Sequence, residues 1–141
     1  MALIRKASAR WEGNLKDGKG SVKFGSFAGA YSFSSRFENG QGSNPEEMIG
    51  AAHAACFSMA FSHELATAGF TPQSVSTTAN VTLDKGEQGF KITQIELVTE
   101  ANVPGIDQGK FMEIAMNAKK GCPISQALSA VEIKLSAKLV N

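Results

Sequence analysis

The chain has 141 residues, with 14 Lys+Arg against 13 Asp+Glu, a net charge of +1, 43% apolar and 19% charged residues. That is an ordinary globular composition of single-domain length, which excludes a disordered tail, a collagen-like repeat and a strongly basic nucleic-acid binder. Two cysteines exclude a disulfide-rich secreted scaffold.

Met1-Ala2-Leu3-Ile4 is followed at once by Arg5 and Lys6, with no apolar stretch of signal-peptide length. A cytoplasmic location is expected. In that compartment a cysteine pair is catalytic, redox-active or metal-binding, or else two buried thiols packed as small hydrophobes. Residues 3–12 alternate weakly and end at Trp11-Glu12-Gly13, and Asp17-Gly18 predicts a hairpin because both types tolerate positive φ. Strands are predicted at 20–25 and 29–37, the second with Tyr31, Phe33, Ser35 and Phe37 on one face. A turn-rich segment, 38–43, follows.

Asn44 is a candidate N-cap, Pro45 suits the first helical position, and Glu46 and Glu47 complement the positive end of the helix dipole. From Met48 to Phe61 no charge occurs, a run too short to span a membrane, so a buried helix is predicted, ending near Ala68 with Gly69 and Pro72 beyond. It is rich in small residues: Gly50, Ala51, Ala52, Ala54, Ala55 and Ala60. A helix apolar on nearly all sides needs cover on all sides, which points to dimerisation.

Val75, Thr77, Ala79, Val81 and Leu83 alternate as a strand, 85–89 is a loop, and Phe90 to Val103 supplies one or two more strands. Asp107 caps a helix that ends at Lys119-Lys120-Gly121, Cys122-Pro123 opens a short helical turn to about Leu128, and Val131 to Leu139 forms the last strand. The order predicts an α+β fold with antiparallel β-sheets packed around a long buried central helix and a second helix, residues 1–141 forming one domain.

Cys122 stands at a helix start, where the dipole and free N–H groups lower a thiol's pKa. Cys56 lies mid-helix and needs a cation or polar partner to ionise, since burial alone raises its pKa. His53 and His63 share its side of the helix. They are ten residues apart, about 15 Å of rise, too far to share a zinc ion. Cys–His catalysis is one reading of this spacing, and a packed, hydrogen-bonded His53 is the simpler one. There is no phosphate-binding loop, dinucleotide fingerprint, Gly-x-Ser-x-Gly elbow or basic patch interleaved with aromatics, so no cofactor, metal, nucleic acid or membrane is expected.

Four stretches carry a specific likeness: Ser34-Ser35-Arg36-Phe37-Glu38, Asn44-Pro45-Glu46-Glu47 running on to Ala54-Ala55-Cys56-Phe57, Val103-Pro104-Gly105-Ile106-Asp107, and Lys119-Lys120-Gly121-Cys122-Pro123-Ile124-Ser125. With Trp11-Glu12-Gly13 and Gly69-Phe70-Thr71-Pro72, they make nearly the whole chain resemble the OsmC/organic hydroperoxide resistance protein family, and His53 favours the OsmC branch. The resemblance implies an intertwined homodimer with thiol peroxidase activity on organic hydroperoxides, less on hydrogen peroxide, in oxidative or osmotic stress defence. It implies Cys56 as the peroxidatic cysteine, Cys122 as the resolving cysteine, and an Arg36–Glu46 pair near the thiolate. An external dithiol, of lipoyl or thioredoxin type, is the implied reductant.

The chemistry of these residues agrees. Arg36 supplies the cation that Cys56 lacks and stabilises charge on the leaving oxygen, and Glu46 can hold Arg36 by a bidentate pair. Without the likeness, Arg36 reads as a surface cation and Glu46 as a helix-start acid. Glu46 and Cys56 are ten residues apart on one helix, about 15 Å, so each site is expected to take its cysteines from one chain and Arg36 and Glu46 from its partner. Alternative readings are a non-catalytic stress protein that binds hydrophobic small molecules or a partner, and a Cys–His hydrolase.

Overall fold

A computed structural model describes residues 1–141. The chain divides into two compact units, Met1–Met48 and Ile49–Asn141.

In the first unit, β1 (Ala7–Glu12), β2 (Lys19–Phe24) and β3 (Phe27–Tyr31) form an antiparallel meander in that order. Gly20 pairs with Trp11 on one side and Tyr31 on the other, whose rings lie 5.4 Å apart. A Cβ at Gly20 would collide with both rings, so glycine is required by close approach. The first hairpin is present, but its loop runs Gly13–Gly18. The left-handed residue is Gly13, at φ 91°, rather than Asp17 or Gly18. Trp11 Nε1 donates to the Gly13 and Asn14 carbonyls, and Asn14 Oδ1 accepts from Asp17 N–H at 2.7 Å, which fixes the wider turn.

The strand expected over 29–37 stops at Tyr31. Residues Phe33–Phe37 form a short helix, α1. Its alternation of aromatic and serine residues fits a strand period, yet Ser32 and Ser35 close a capping box. Ser32 Oγ accepts from Ser35 N–H at 3.1 Å and Ser35 Oγ accepts from Ser32 N–H at 2.8 Å. Serine hydroxyls that satisfy the backbone locally outcompete the sheet. Phe33 and Phe37, one helical turn apart, then meet at 5.0 Å between ring centroids.

Helix α2 (Pro45–Thr67) starts as expected, with Asn44 Oδ1 accepting from Glu47 N–H at 2.8 Å. It ends in a Schellman motif: Gly69 at φ 93° donates to Ala66 O, and Phe70 N–H donates to Leu65 O.

In the second unit, β4 (Ser74–Gly86) and β5 (Gly89–Asn102) form a long antiparallel hairpin with a bulge at Thr82/Leu83. After β5 come α3 (Gln108–Gly121), α4 (Pro123–Ala127) and β6 (Glu132–Leu139). Asp107 caps α3 as expected, accepting from Lys110 N–H. The sheet order is β4-β5-β6, but β6 runs parallel to β5, so this sheet is mixed rather than antiparallel. The reason is the connection: α3 and α4 carry the chain back to the start of β5, as a parallel crossover must. The α+β class stands.

The core of this unit is one stripe of α2 against β5 and α3. Phe57, Phe61 and Leu65 recur every fourth residue and are fully buried with Ile95, Leu97, Ala101, Phe111 and Ala115. Phe61 meets Phe57 at 5.6 Å and Phe111 at 5.3 Å between centroids. A Cβ at Gly50 would lie 3.3 Å from Val81 Cγ2, so the helix approaches β4 closely there. A hydroxyl chain, Ser58 to Thr77 to Thr99, links helix and sheet at 2.7 and 3.0 Å. The opposite side of α2 is not covered: Ala51, Ala52, Ala55 and Met59 are exposed, Met59 at 75%. The central helix is thus buried along one stripe of the single chain, not all round. No helix is long and apolar enough to cross a membrane.

Candidate active site

Helix α2 carries Cys56 one residue before the buried Phe57, so its thiol sits half-buried at the edge of the core stripe. Cys122 is the junction of α3 and α4. Its N–H closes α3 by donating to Ala118 O at 2.9 Å, and Pro123 then takes the first position of α4, where no donor is needed. With φ −61° and ψ 120°, Cys122 is extended and fully buried. These two turns of chain bring the sulfurs together. Cys56 Sγ and Cys122 Sγ are 3.0 Å apart, both as free thiols.

At that separation one proton bridges the pair and the sulfurs titrate together. Burial pushes the Cys56 thiol up, and Cys122 adds to this through their hydrogen bond and by repelling a second charge; the Ile124 N–H only partly opposes it. At Cys122 burial also acts upward, but the hydrogen bond to Cys56, the N–H and hydroxyl of Ser125 and the N–H of Ile124 outweigh it, holding this thiol below its ordinary range. Within one chain the start of α4 favours a thiolate on Cys122, and burial disfavours one on Cys56.

His53, one turn before Phe57 on α2, is fully buried, and burial holds its imidazole below the ordinary value. Its Nε2 lies 2.7 Å from Ser125 Oγ, whereas Nδ1 is buried without a partner. His53 thus pairs with Ser125, not Cys56, and His63 is exposed. Neither histidine serves Cys56 as a base in this arrangement. Sequence reasoning gave Ser125 no role. The available signal was its spacing, three residues after the N-cap Cys122 at the start of α4.

A second constellation lies in the first unit. Arg36, in α1, meets Glu46, in the first turn of α2, through two parallel bonds: Nε to Oε1 at 2.8 Å and Nη2 to Oε2 at 3.0 Å. Glu46 is buried, and the Arg36 side chain is 35% exposed. The bidentate geometry fixes the guanidinium plane, and the face of the Phe37 ring lies 5.2 Å from it. Beside it Trp11, Leu15, Tyr31, Phe33 and Phe37 line a recess of about 410 Å³ with Arg36 at its wall. Phe57, by contrast, belongs to the core and lines no open site. The structure thus brings together Cys56 with Cys122 and Arg36 with Glu46. A dithiol at 3.0 Å can close to a disulfide, and a braced guanidinium beside an apolar recess can steady a developing anion.

Comparison with known proteins agrees with this chemistry. The model of the family described as OsmC-like protein matches residues 38–136. The chain is 54% identical over 142 residues to Peroxiredoxin OsmC of Escherichia coli (strain K12), covering 99% of each. It is 32% identical over 103 residues to the organic hydroperoxide resistance protein OhrB of Bacillus subtilis (strain 168), covering 72% of this chain and 74% of that protein. The crystal structure of OhrB from Bacillus subtilis superposes with a TM-score of 0.74 at 27% identity, over 94% of this chain and 98% of that one. A full-length match at this identity, with the family model covering both site cysteines, Glu46 and most of the fold, means that the chain belongs to the OsmC-like protein family.

Proposed function

We propose that this protein is a cysteine-based peroxidase that reduces organic hydroperoxides, and hydrogen peroxide less efficiently, in oxidative or osmotic stress defence in the cytoplasm. The observation that carries the proposal is the free Cys56–Cys122 pair at 3.0 Å. The names of the relatives, a peroxiredoxin and a hydroperoxide resistance protein, support it.

The Cys56 thiolate attacks one peroxide oxygen. The O–O bond breaks, the leaving alkoxide takes the proton that Cys56 has shed to give an alcohol, and Cys56 becomes a sulfenic acid. Cys122 then attacks that sulfur, forming a disulfide and releasing water. An external dithiol, of lipoyl or thioredoxin type, reduces the disulfide.

Burial disfavours a thiolate on Cys56, yet the attacking residue must be Cys56. A cation beside Cys56 offsets that penalty. Arg36 is suited to the task, because Glu46 engages Nε and Nη2 and leaves Nη1 for the thiolate and the leaving oxygen. Ten residues of α2, about 15 Å of rise, separate Glu46 from Cys56. The cation therefore comes from a second copy. Each site joins Cys56 and Cys122 of one chain with Arg36 and Glu46 of its partner, and the obligate unit is a homodimer of two 141-residue domains. The charge-free exposed side of α2 and the exposed Phe24 and Phe27 of the first unit are the apolar surface such a partner would cover. The recess beside Arg36 receives the organic part of the peroxide.

Incubation of reduced protein with cumene hydroperoxide should remove two thiols per chain, and Cys56→Ser should abolish the loss. Unchanged thiols would reject the activity. Mixing a Cys56→Ser chain with an Arg36→Met chain tests the shared site separately. Activity that is absent in each parent but restored in the mixed dimer supports it, and a dead mixture rejects it.

A further inference from the structure

Cys122 has to meet the sulfur of Cys56, and its own segment gives it little means of doing so. It is the extended residue between α3 and α4, and α4 is five residues long with no side-chain bond at its N-cap. So short a helix is marginal by itself and cannot fix its own position. Yet Cys122 Sγ stands 3.0 Å from Cys56 Sγ. A second contact lies one turn along each element. His53 Nε2, three residues before Cys56, is 2.7 Å from Ser125 Oγ, three residues after Cys122. The two contacts are rungs of one ladder between α2 and the start of α4, about 4.5 Å apart along α2. We propose that His53 and Ser125 are positioning residues for the resolving step, a buried hydrogen-bonded clamp that holds the start of α4 in register so that Cys122 faces Cys56.

The clamp is polar where apolar packing surrounds it. His53 is fully buried and Ser125 is 6% exposed, while Ile124 and Leu128 of the same segment pack against the apolar core. His53 Nδ1 bonds nothing, so the Ser125 hydroxyl is the polar anchor of the ring. A half-satisfied imidazole in such a place costs stability relative to an apolar side chain of the same shape. What it adds is direction and length. Apolar burial is non-directional, whereas a hydrogen bond weakens steeply away from its distance and angle. An S–S bond is about 2 Å long, so the sulfurs have about 1 Å left to travel from 3.0 Å. A slip of α4 by that amount is as large as the whole path.

In the step that the clamp serves, the Cys122 sulfur forms the S–S bond and the S–O bond of the Cys56 sulfenic acid breaks. The hydroxide that leaves takes the proton Cys122 has shed, giving water. His53 and Ser125 exchange nothing with the reactants; each acts through the helical turn it shares with a cysteine.

The test reads the Cys56–Cys122 pair against a reference dithiol. Oxidised dithiothreitol takes two electrons and two protons from the protein dithiol, giving the protein disulfide and reduced dithiothreitol, and trapped thiols give the equilibrium constant. One neutral hydrogen bond corresponds to about fivefold. His53→Leu and Ser125→Ala should each shift the equilibrium about fivefold toward the dithiol, and the double variant should shift it no further. His53→Gln, whose amide can donate or accept near the place of Nε2, and Ser125→Thr, which keeps the hydroxyl, should restore the parent value. Side chains that only packed would destabilise the dithiol and disulfide proteins alike and leave the constant where it was. Stopped flow after one equivalent of cumene hydroperoxide should show disulfide closure in Ser125→Ala slowed by the same factor. An unchanged constant in both His53→Leu and Ser125→Ala overturns the clamp, as does failure of both conservative variants to restore it. Should His53→Leu not fold, Ser125→Ala against Ser125→Thr decides. The clamp rests on the peroxidase reading above, but the equilibrium arm needs no peroxide. Protein that consumes no hydroperoxide refutes that reading, and the dithiothreitol equilibrium still decides the clamp.

Discussion

Replacing Cys122 with serine should convert a fleeting sulfenic acid into one that can be trapped. The sulfurs stand 3.0 Å apart, inside the separation at which two reacting atoms are already placed for attack. Intramolecular reactions so placed reach effective molarities of about 10⁵ M or more, so a trap such as dimedone at about 1 mM faces a disadvantage of about 10⁸. Even a million-fold discount for imperfect alignment would leave about 1% of the wild-type chains labelled. In Cys122→Ser the hydroxyl cannot reduce the sulfenic acid, and labelling should approach one dimedone per chain. Intact-protein mass spectrometry after one equivalent of cumene hydroperoxide measures both. The thiol count should fall from two to none in the wild type and from one to none in the variant. Equal labelling of the two proteins, or normal multiple turnover by Cys122→Ser, would refute the assignment of Cys122 as the resolving residue.

Arg36→Lys keeps the charge but loses the fork that Glu46 engages, and it should slow sulfenic acid formation about tenfold or more in stopped flow. An unchanged rate would remove Arg36 from the site. Glu46→Gln should cost about 1 kcal/mol of stability, little for a buried acid because Arg36 is partly screened by solvent, and chemical denaturation measures it. Phe61→Ala, at the centre of the α2 core, should cost about 3–5 kcal/mol; a loss below about 1 kcal/mol would contradict the packing described. Burial holds His53 below its ordinary value in the folded chain, so as pH falls through about 6.5 the unfolded chain takes up a proton there before the folded one does. The unfolded state then binds more protons, so stability falls with falling pH by up to about 1.4 kcal/mol per unit, and His53→Gln should flatten that slope. Equal slopes in parent and variant would show that His53 titrates normally. Met59→Glu, on the exposed side of α2, should leave the fold intact yet give monomers in sedimentation velocity; a variant that remains dimeric would move the interface elsewhere.

Much of the architecture was legible because it is written in local chemistry. Asn44-Pro45 with Glu47, Asp107, and Gly69 before Pro72 set helix ends through their own side chains and φ preferences. Val75 to Leu83 alternated because one face of β4 looks inward. Two features were not legible. Residues 33–37 carry an alternation that suits a strand, and the Ser32–Ser35 box that makes them a helix is visible only as a rival to it. The direction of β6 depends on where α3 and α4 return the chain, which no residue of β6 encodes.

The site divides the same way. Cysteine type, a helix start at Cys122 and a charge-free run around Cys56 are properties of the chain itself, and they already set the two thiols apart: one eased toward ionisation, one in need of a cation. That their sulfurs meet at 3.0 Å, that Arg36 and Glu46 meet through two bonds, and that His53 turns to Ser125 rather than to Cys56 were decided by folding. The physical reason is distance along the chain. Capping and periodicity act within a few residues, whereas these contacts join residues 10, 66 and 72 positions apart and exist only once separate elements pack together.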